Sequence, residues 1–157
     1  MAKLIKDGAI VDNAWTLLNA DQVAESGVPA SGQIIVPLSV WQAQRDALLA
    51  RGDAAVWLDA GEEPEALADD LTHLPLIAIN FPVFRDGRGY SYARELRQRF
   101  NYQGEIRAIG DVLQDQLFYM WRCGFNAYDV RADRDLEEAL AGLKVFSVTY
   151  QGDVHTP

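Results

Sequence analysis

Five short runs of nearly continuous apolar residues limit most strongly what this chain can fold into. They are QIIVPL (33–38), AAVWLD (54–59), LIAINF (76–81), EIRAIG (105–110) and NAYDV (126–130), and each is followed by an amphipathic stretch. Apolar residues at consecutive positions suit strands covered on both faces, whereas a half-exposed strand alternates. In VWQAQRDALLARG, Trp41, Arg45, Leu48 and Leu49 fall at helical spacing, and Gly52 supplies the stop. The repeating unit is βα. Parallel neighbours need a crossover of a dozen or more residues, so the alternation predicts an α/β fold with a mainly parallel sheet, either doubly wound or partial-barrel-like.

The flanks read differently. In KLIKDGAIVDNAW, Asp7-Gly8 sits between two short apolar runs and predicts an N-terminal β-hairpin appendage. GVPASG (27–32) reads as a loop into the first parallel strand, VFSVTYQ (145–151) as a final strand, and GDVHTP as a fraying tail. At 157 residues, with 49% hydrophobic content and four tryptophans, the chain is expected to form one domain. Its parts are a hairpin and lead-in over 1–32, a βα-repeat core over 33–150 and a tail over 151–157.

Charge narrows the partners. Lys+Arg 14 against Asp+Glu 23 gives a net charge of -9, which repels a polyanion, so no nucleic acid is expected. The first residues lack the apolar core of a leader and no long apolar stretch follows, so a soluble cytoplasmic protein with no membrane partner is expected. The one cysteine, Cys123, excludes an intrachain disulfide, a Cys-x-x-Cys pair and an iron-sulfur nest. His73 and His155 lie far apart, which serves zinc poorly. The expectation is therefore no metal and no cofactor.

Ligands of parallel sheets and barrels sit at the carboxyl ends of the strands. That rule selects Asp59, the stretch Asn80 to Ser91, Gly110 with Asp111, and Asp129 with Arg131. Within it, FRDGRGYS (84–91) invites a dinucleotide fingerprint, but Tyr92 stands where the third small residue belongs and PVFRD separates the glycines from the strand. An anion site fits better. Arg85, Arg88, Arg94, Arg97, Arg99 and Arg107 cluster in an otherwise acidic chain, and Gly87 and Gly89 let an oxyanion approach the backbone near Tyr90. The loop arginines Arg85 and Arg88 are better placed than the helical ones. The competing reading is a turn with Ser91 as helix N-cap and arginines on a solvated face.

GDVLQDQLFYMWRCGF (110–125) predicts a helix over Val112–Cys123, with Asp111 and Gln114 as a capping-box start and Gly124 as its stop. Leu113, Leu117, Met120 and Trp121 form its core stripe, and Asp111, Asp115, Tyr119 and Arg122 a polar one. That polar stripe reads either as a ligand or subunit surface or as an intrahelical network. Cys123 falls at the helix C-terminus, where the dipole opposes a thiolate, and reads as buried and inert.

Over these stretches, and through IKDGAIV, IIVPLSVW, DGRGYS, RAIGDVLQDQLFYM, RCGF and FSVTYQ, the chain resembles the bacterial domain of unknown function 934 family. Members carry a label placing them among oxidoreductases of sulfite reduction. The matching family positions are Asp86, Gly87, Arg88, Gly89 and Tyr90, then Gly110, Asp111, Asp115, Gln116, Tyr119, Arg122, Cys123 and Gly124; Trp121 departs where relatives look basic. The resemblance implies a setting beside the sulfite reductase haemoprotein. Sulfite reduction needs a multi-electron carrier that one cysteine and two histidines cannot hold. Three readings follow. The first is an accessory protein that docks on the reductase and binds a small oxyanion at the Arg-Gly loop. The second is an enzyme on a small sulfur- or phosphate-bearing substrate, with Asp111 or Asp115 as general base and Arg88 as clamp. The third is an interaction module without a ligand. A homo-oligomer is compatible with each.

Overall fold

The computed structural model describes residues 2–82, 87–130 and 135–149, the last five of these by backbone alone. An eight-stranded sheet organises them. Its strands are β1 (Lys3–Lys6), β2 (Ala9–Asp12), β3 (Thr16–Leu17), β4 (Ile34–Pro37), β5 (Ala54–Leu58), β6 (Leu76–Phe81), β7 (Glu105–Gly110) and β8 (Ala127–Tyr128). The spatial order is β2-β1-β8-β7-β6-β5-β4-β3. From β3 to β8 every neighbouring pair is parallel and sequential, while β1 pairs antiparallel with both β2 and β8. All five apolar runs are strands, and the predicted hairpin is present, with Asp7 and Gly8 both at positive φ in its turn.

The topology decides between the two predicted architectures. Strands β2 and β3 lie at opposite edges of the sheet, yet only residues 13–15 join them. A flat sheet of eight strands would separate its edges by about 34 Å at ~4.8 Å per step. The link from Asp12 to Thr16 reaches no more than about 14 Å at ~3.5 Å per residue. The sheet therefore curls into a half-barrel, and the 13–15 link crosses its opening.

The helices are α1 (Ala20–Ser26), α2 (Leu38–Ala43), α3 (Arg45–Arg51), α4 (Arg88–Gln98), α5 (Leu117–Cys123) and α6 (Leu136–Thr149), with a 3-10 segment over Pro64–His73. Alternate strand residues face them: Ile34, Val36, Val56, Leu58, Ile77, Ile79, Phe81, Ile106, Ala108 and Tyr128 join the main core. The intervening residues Ile35, Ala55, Leu76, Ala78 and Ile109 form a second, smaller core on the concave face with Trp15 and Trp57. Both faces of the central strands are thus covered, which explains their unbroken apolar sequence.

Several local expectations are corrected. The parallel set begins at β3, before GVPASG, because two strand residues leave no apolar run to read. Residues 145–149 of VFSVTYQ belong to α6, where the helix opened at Leu136 overrides their β-branched preference; Tyr150 and Gln151 lie outside the described residues, as does GDVHTP. The 110–125 helix starts late. Gly110 turns at φ +89, Leu113 is extended, a 3-10 turn covers Gln114–Gln116, and α5 begins only at Leu117. Val112 enters the core there, so Asp111 stands outside the helix and cannot cap it. Helix α4 in turn starts at Arg88, with Gly87 at its cap position, so Ser91 lies inside the first turn.

Candidate functional site at the carboxyl end of the half-barrel

The Arg-Gly stretch lies where β6 hands over to α4. Phe84, Arg85 and Asp86 lie outside the described residues; Gly87, Arg88, Gly89 and Tyr90 are within them. Gly87 has no side chain with which to cap, and the first turn of α4 carries no acidic residue. The contrast is α1, where Asn19 and Gln22 exchange a full capping box at 2.8 Å in each direction. Gly89 lets the α4 start press onto β6: a Cβ there would fall 2.7 Å from the Phe81 ring and 3.1 Å from Ile79. The Arg88 guanidinium reaches the turn after β5, its Nη1 lying 3.6 Å from where a Cβ on Gly61 would be. In the same turn the Gly61 N–H donates to the Tyr92 hydroxyl at 3.0 Å.

Other arginines of the cluster have structural work. Arg97 donates to the carbonyls of Gly124, Tyr102 and Gly104 at 2.9, 2.8 and 2.7 Å, tying α4 to two chain reversals. Arg99 pairs with Glu95 at 2.7 Å and reaches Glu65 at 3.4 Å. Arg107 is buried on the concave face, donating to Glu105 at 2.6 Å and to Asn13 Oδ1 at 3.0 Å. The sequence showed the cluster but not this division, because backbone carbonyl acceptors leave no mark in it and Gly124, Glu65 and Asn13 lie far away in the chain.

The two stretches singled out in sequence meet. The rings of Tyr90 and Tyr119 pack edge-on with centroids 4.8 Å apart, and Tyr90 packs on Phe81 at 5.1 Å. Burial raises the Tyr90 phenol above its ordinary value, with smaller contributions from Cys123, Tyr119 and Asp115 nearby. Tyr119 and Asp115 are exposed, while Arg122 lies over the Phe118 ring at 5.8 Å. Cys123 is fully buried, as its position predicted. Asp111 directly follows β7, which ends at Gly110. Its N–H donates to the Phe81 carbonyl at 2.7 Å, which holds it beside the ends of β6 and β7.

A second set of polar residues occupies the concave side of the same end. Asn80 Nδ2 donates to Asp59 Oδ1 at 2.9 Å, joining the ends of β5 and β6. Asn80 is in register with Ile109, and Asp129 follows β8 at the level of Ile109, its N–H bound to the Ala108 carbonyl. Asp59, Asn80, Ile109 and Asp129 thus form the last layer of the concave face. Burial raises the Asp129 carboxyl above its ordinary value, against an opposing pull from Arg107. The carboxyl-end rule reached all three polar members of this layer, but the search for clustered positive charge passed over them. Arg131 lies outside the described residues. Among the described residues no group of three or more His, Cys, Asp or Glu side chains could hold a metal ion, and no helix is long and apolar enough to cross a membrane.

Comparison with known proteins gives one family. The family described as "Bacterial protein of unknown function (DUF934)" matches residues 55–157, from β5 through the Arg-Gly stretch, α5 and α6 to the last residue. No curated protein and no solved structure matches the chain.

Proposed function

Given that the chain belongs to the DUF934 family of bacterial proteins, we propose that it is an accessory protein of assimilatory sulfite reduction, binding a small oxyanion at the start of α4 and docking on the sulfite reductase haemoprotein. The observation that carries this reading is the composition of that helix start: Gly87 without a side chain, Arg88 as the first helical residue, and no acid in the first turn. Backbone N–H groups at such a start, beside a guanidinium, suit an oxyanion through charge-assisted hydrogen bonds. The net charge of -9 supports docking on a positively charged partner face.

Capture from sulfate-grown cells tests the docking. Tagged wild type is expected to retain the reductase haemoprotein, recognised by its sirohaem absorption and by mass spectrometry. Arg88→Ala, run in parallel, reports whether docking needs the anion site. Absence of the reductase from the wild-type eluate, with reductase present in the lysate, contradicts the docking.

A further inference from the structure

On the concave side of the carboxyl end, a cavity of about 310 Å³ is lined by Leu17, Leu18, Asn19, Gln22, Trp57, Asn80 and Ile109. It lies across the sheet from α4 and is separate from the Arg88 site. Its volume falls at the small end of the range of ligand pockets, enough for a single ring. The lining has a distinct chemistry: an indole, three aliphatic side chains and three carboxamides, with no charged residue.

The hydrogen bonds already made define what those carboxamides have left to offer. The Asn19 and Gln22 oxygens are taken by each other's backbone N–H groups. Among the described residues their NH2 groups donate no hydrogen bond, so both are donors the pair can offer. Asn80 spends one amide hydrogen on Asp59 and keeps the second. The Trp57 indole N–H is fixed on the Leu18 carbonyl at 2.8 Å, which locks the ring as a wall of the cavity. The site therefore supplies N–H donors beside a flat aromatic surface, a combination that suits a ring bearing acceptors. Asp59 and Asp129, in the same layer as the lining residues Asn80 and Ile109, disfavour an anion.

We propose that this cavity binds a small, neutral, planar molecule carrying carbonyl or ring-nitrogen acceptors, held by the Asn19, Gln22 and Asn80 amides against Trp57. The structure selects this class by shape and hydrogen-bond polarity.

Nicotinamide, a neutral ring with both kinds of acceptor, is a suitable probe, and nicotinate is its anionic counterpart. Titration of the full chain is followed by the indole N–H resonances of the four tryptophans, that of Trp57 being assigned with Trp57→Phe. Nicotinamide is expected to shift the Trp57 resonance saturably, with a dissociation constant on the order of 1 mM for so small a ligand. Trp41, on the opposite face and bound to Asp70, should not move. Nicotinate should bind at least about tenfold more weakly. Asn80→Ala should weaken nicotinamide by a similar factor. Leu17→Trp, at an exposed rim position, should block the cavity with the melting temperature unchanged. Failure of the Trp57 shift to saturate by about 20 mM overturns the proposal, since even a minimal ring in a matched pocket should bind below that. Equal movement of Trp41 and Trp57, or undiminished binding in Leu17→Trp, overturns it as well.

Discussion

Asp70 accepts a hydrogen bond from the Trp41 indole at 2.8 Å, across 29 residues of chain, and so fastens the 3-10 segment before β6 to helix α2. Trp41 is almost fully buried, so its N–H has no water to turn to. Arg45 adds two more hydrogen bonds to the same carboxylate, at 2.8 and 2.5 Å. Asp70→Ala should cost about 1–3 kcal/mol, chiefly by leaving the indole donor unsatisfied. The pair also has a pH signature. The hydrogen bond from Arg45, helped by Trp41 and opposed by burial, lowers the Asp70 carboxyl below its ordinary value of 3.8. A depressed acid stabilises the fold above that ordinary value and loses its contribution as pH falls through the folded one. In urea titrations the gap between wild type and Asp70→Ala should narrow as pH falls through that range; a gap widening toward acid contradicts the assignment.

Asp129 should behave in the opposite way. Its folded value is raised by burial, so keeping it ionised costs stability, and that cost grows as pH rises from the ordinary carboxylate value through the raised one. Asp129→Asn should therefore raise the melting temperature at pH 7 and lose that advantage near pH 4. A lowered melting temperature at pH 7 would mean that attraction to Arg107 outweighs burial.

Helix α5 is anchored by Leu117 and Met120, both fully buried. Leu117→Ala should cost roughly 2–5 kcal/mol by equilibrium unfolding, the range for a leucine deleted from a packed core. A loss below about half a kcal/mol is what a surface position gives and contradicts this packing.

Gly89 couples the fold to the anion site. With only 2.7 Å to the Phe81 ring, an alanine methyl must push α4 away from β6. Gly89→Ala should cost about 1–3 kcal/mol, the usual range for overpacking, and should weaken anion binding by displacing Arg88. A variant as stable as wild type would place the helix start farther from the strand.

Much of this was legible in the sequence, for reasons that also mark its limit. The five strands could be read because burial on both faces leaves a continuous apolar run, and the hairpin because Asp7-Gly8 suits its turn. The curl could not be read locally: it follows from where β2 and β3 sit in the sheet, which only the pairing reveals. At the site, the carboxyl-end rule reached Asp59, Asn80 and Asp129, but their shared layer depends on register between strands separated by whole helices. Arg97 looked like part of a basic cluster because carbonyl acceptors leave no mark in a sequence. The late start of α5 was hidden by Gln114, which fits a capping box; the structure instead has Gln116 Oε1 accepting from the Leu113 N–H at 3.4 Å.

Thermal unfolding with and without sulfite, sulfate or phosphate tests the oxyanion site most directly. A ligand that binds only the folded state raises the melting temperature by an amount that grows with the logarithm of its concentration above Kd, and chloride should reduce the effect by screening and competition. Wild type is expected to be protected. Arg88→Ala should lose that protection with little change in its ligand-free melting temperature, since Arg88 is exposed. Arg99→Ala should keep it, because Arg99 caps the far end of α4 and pairs with Glu95 and Glu65. Equal protection of wild type and Arg88→Ala would contradict the account.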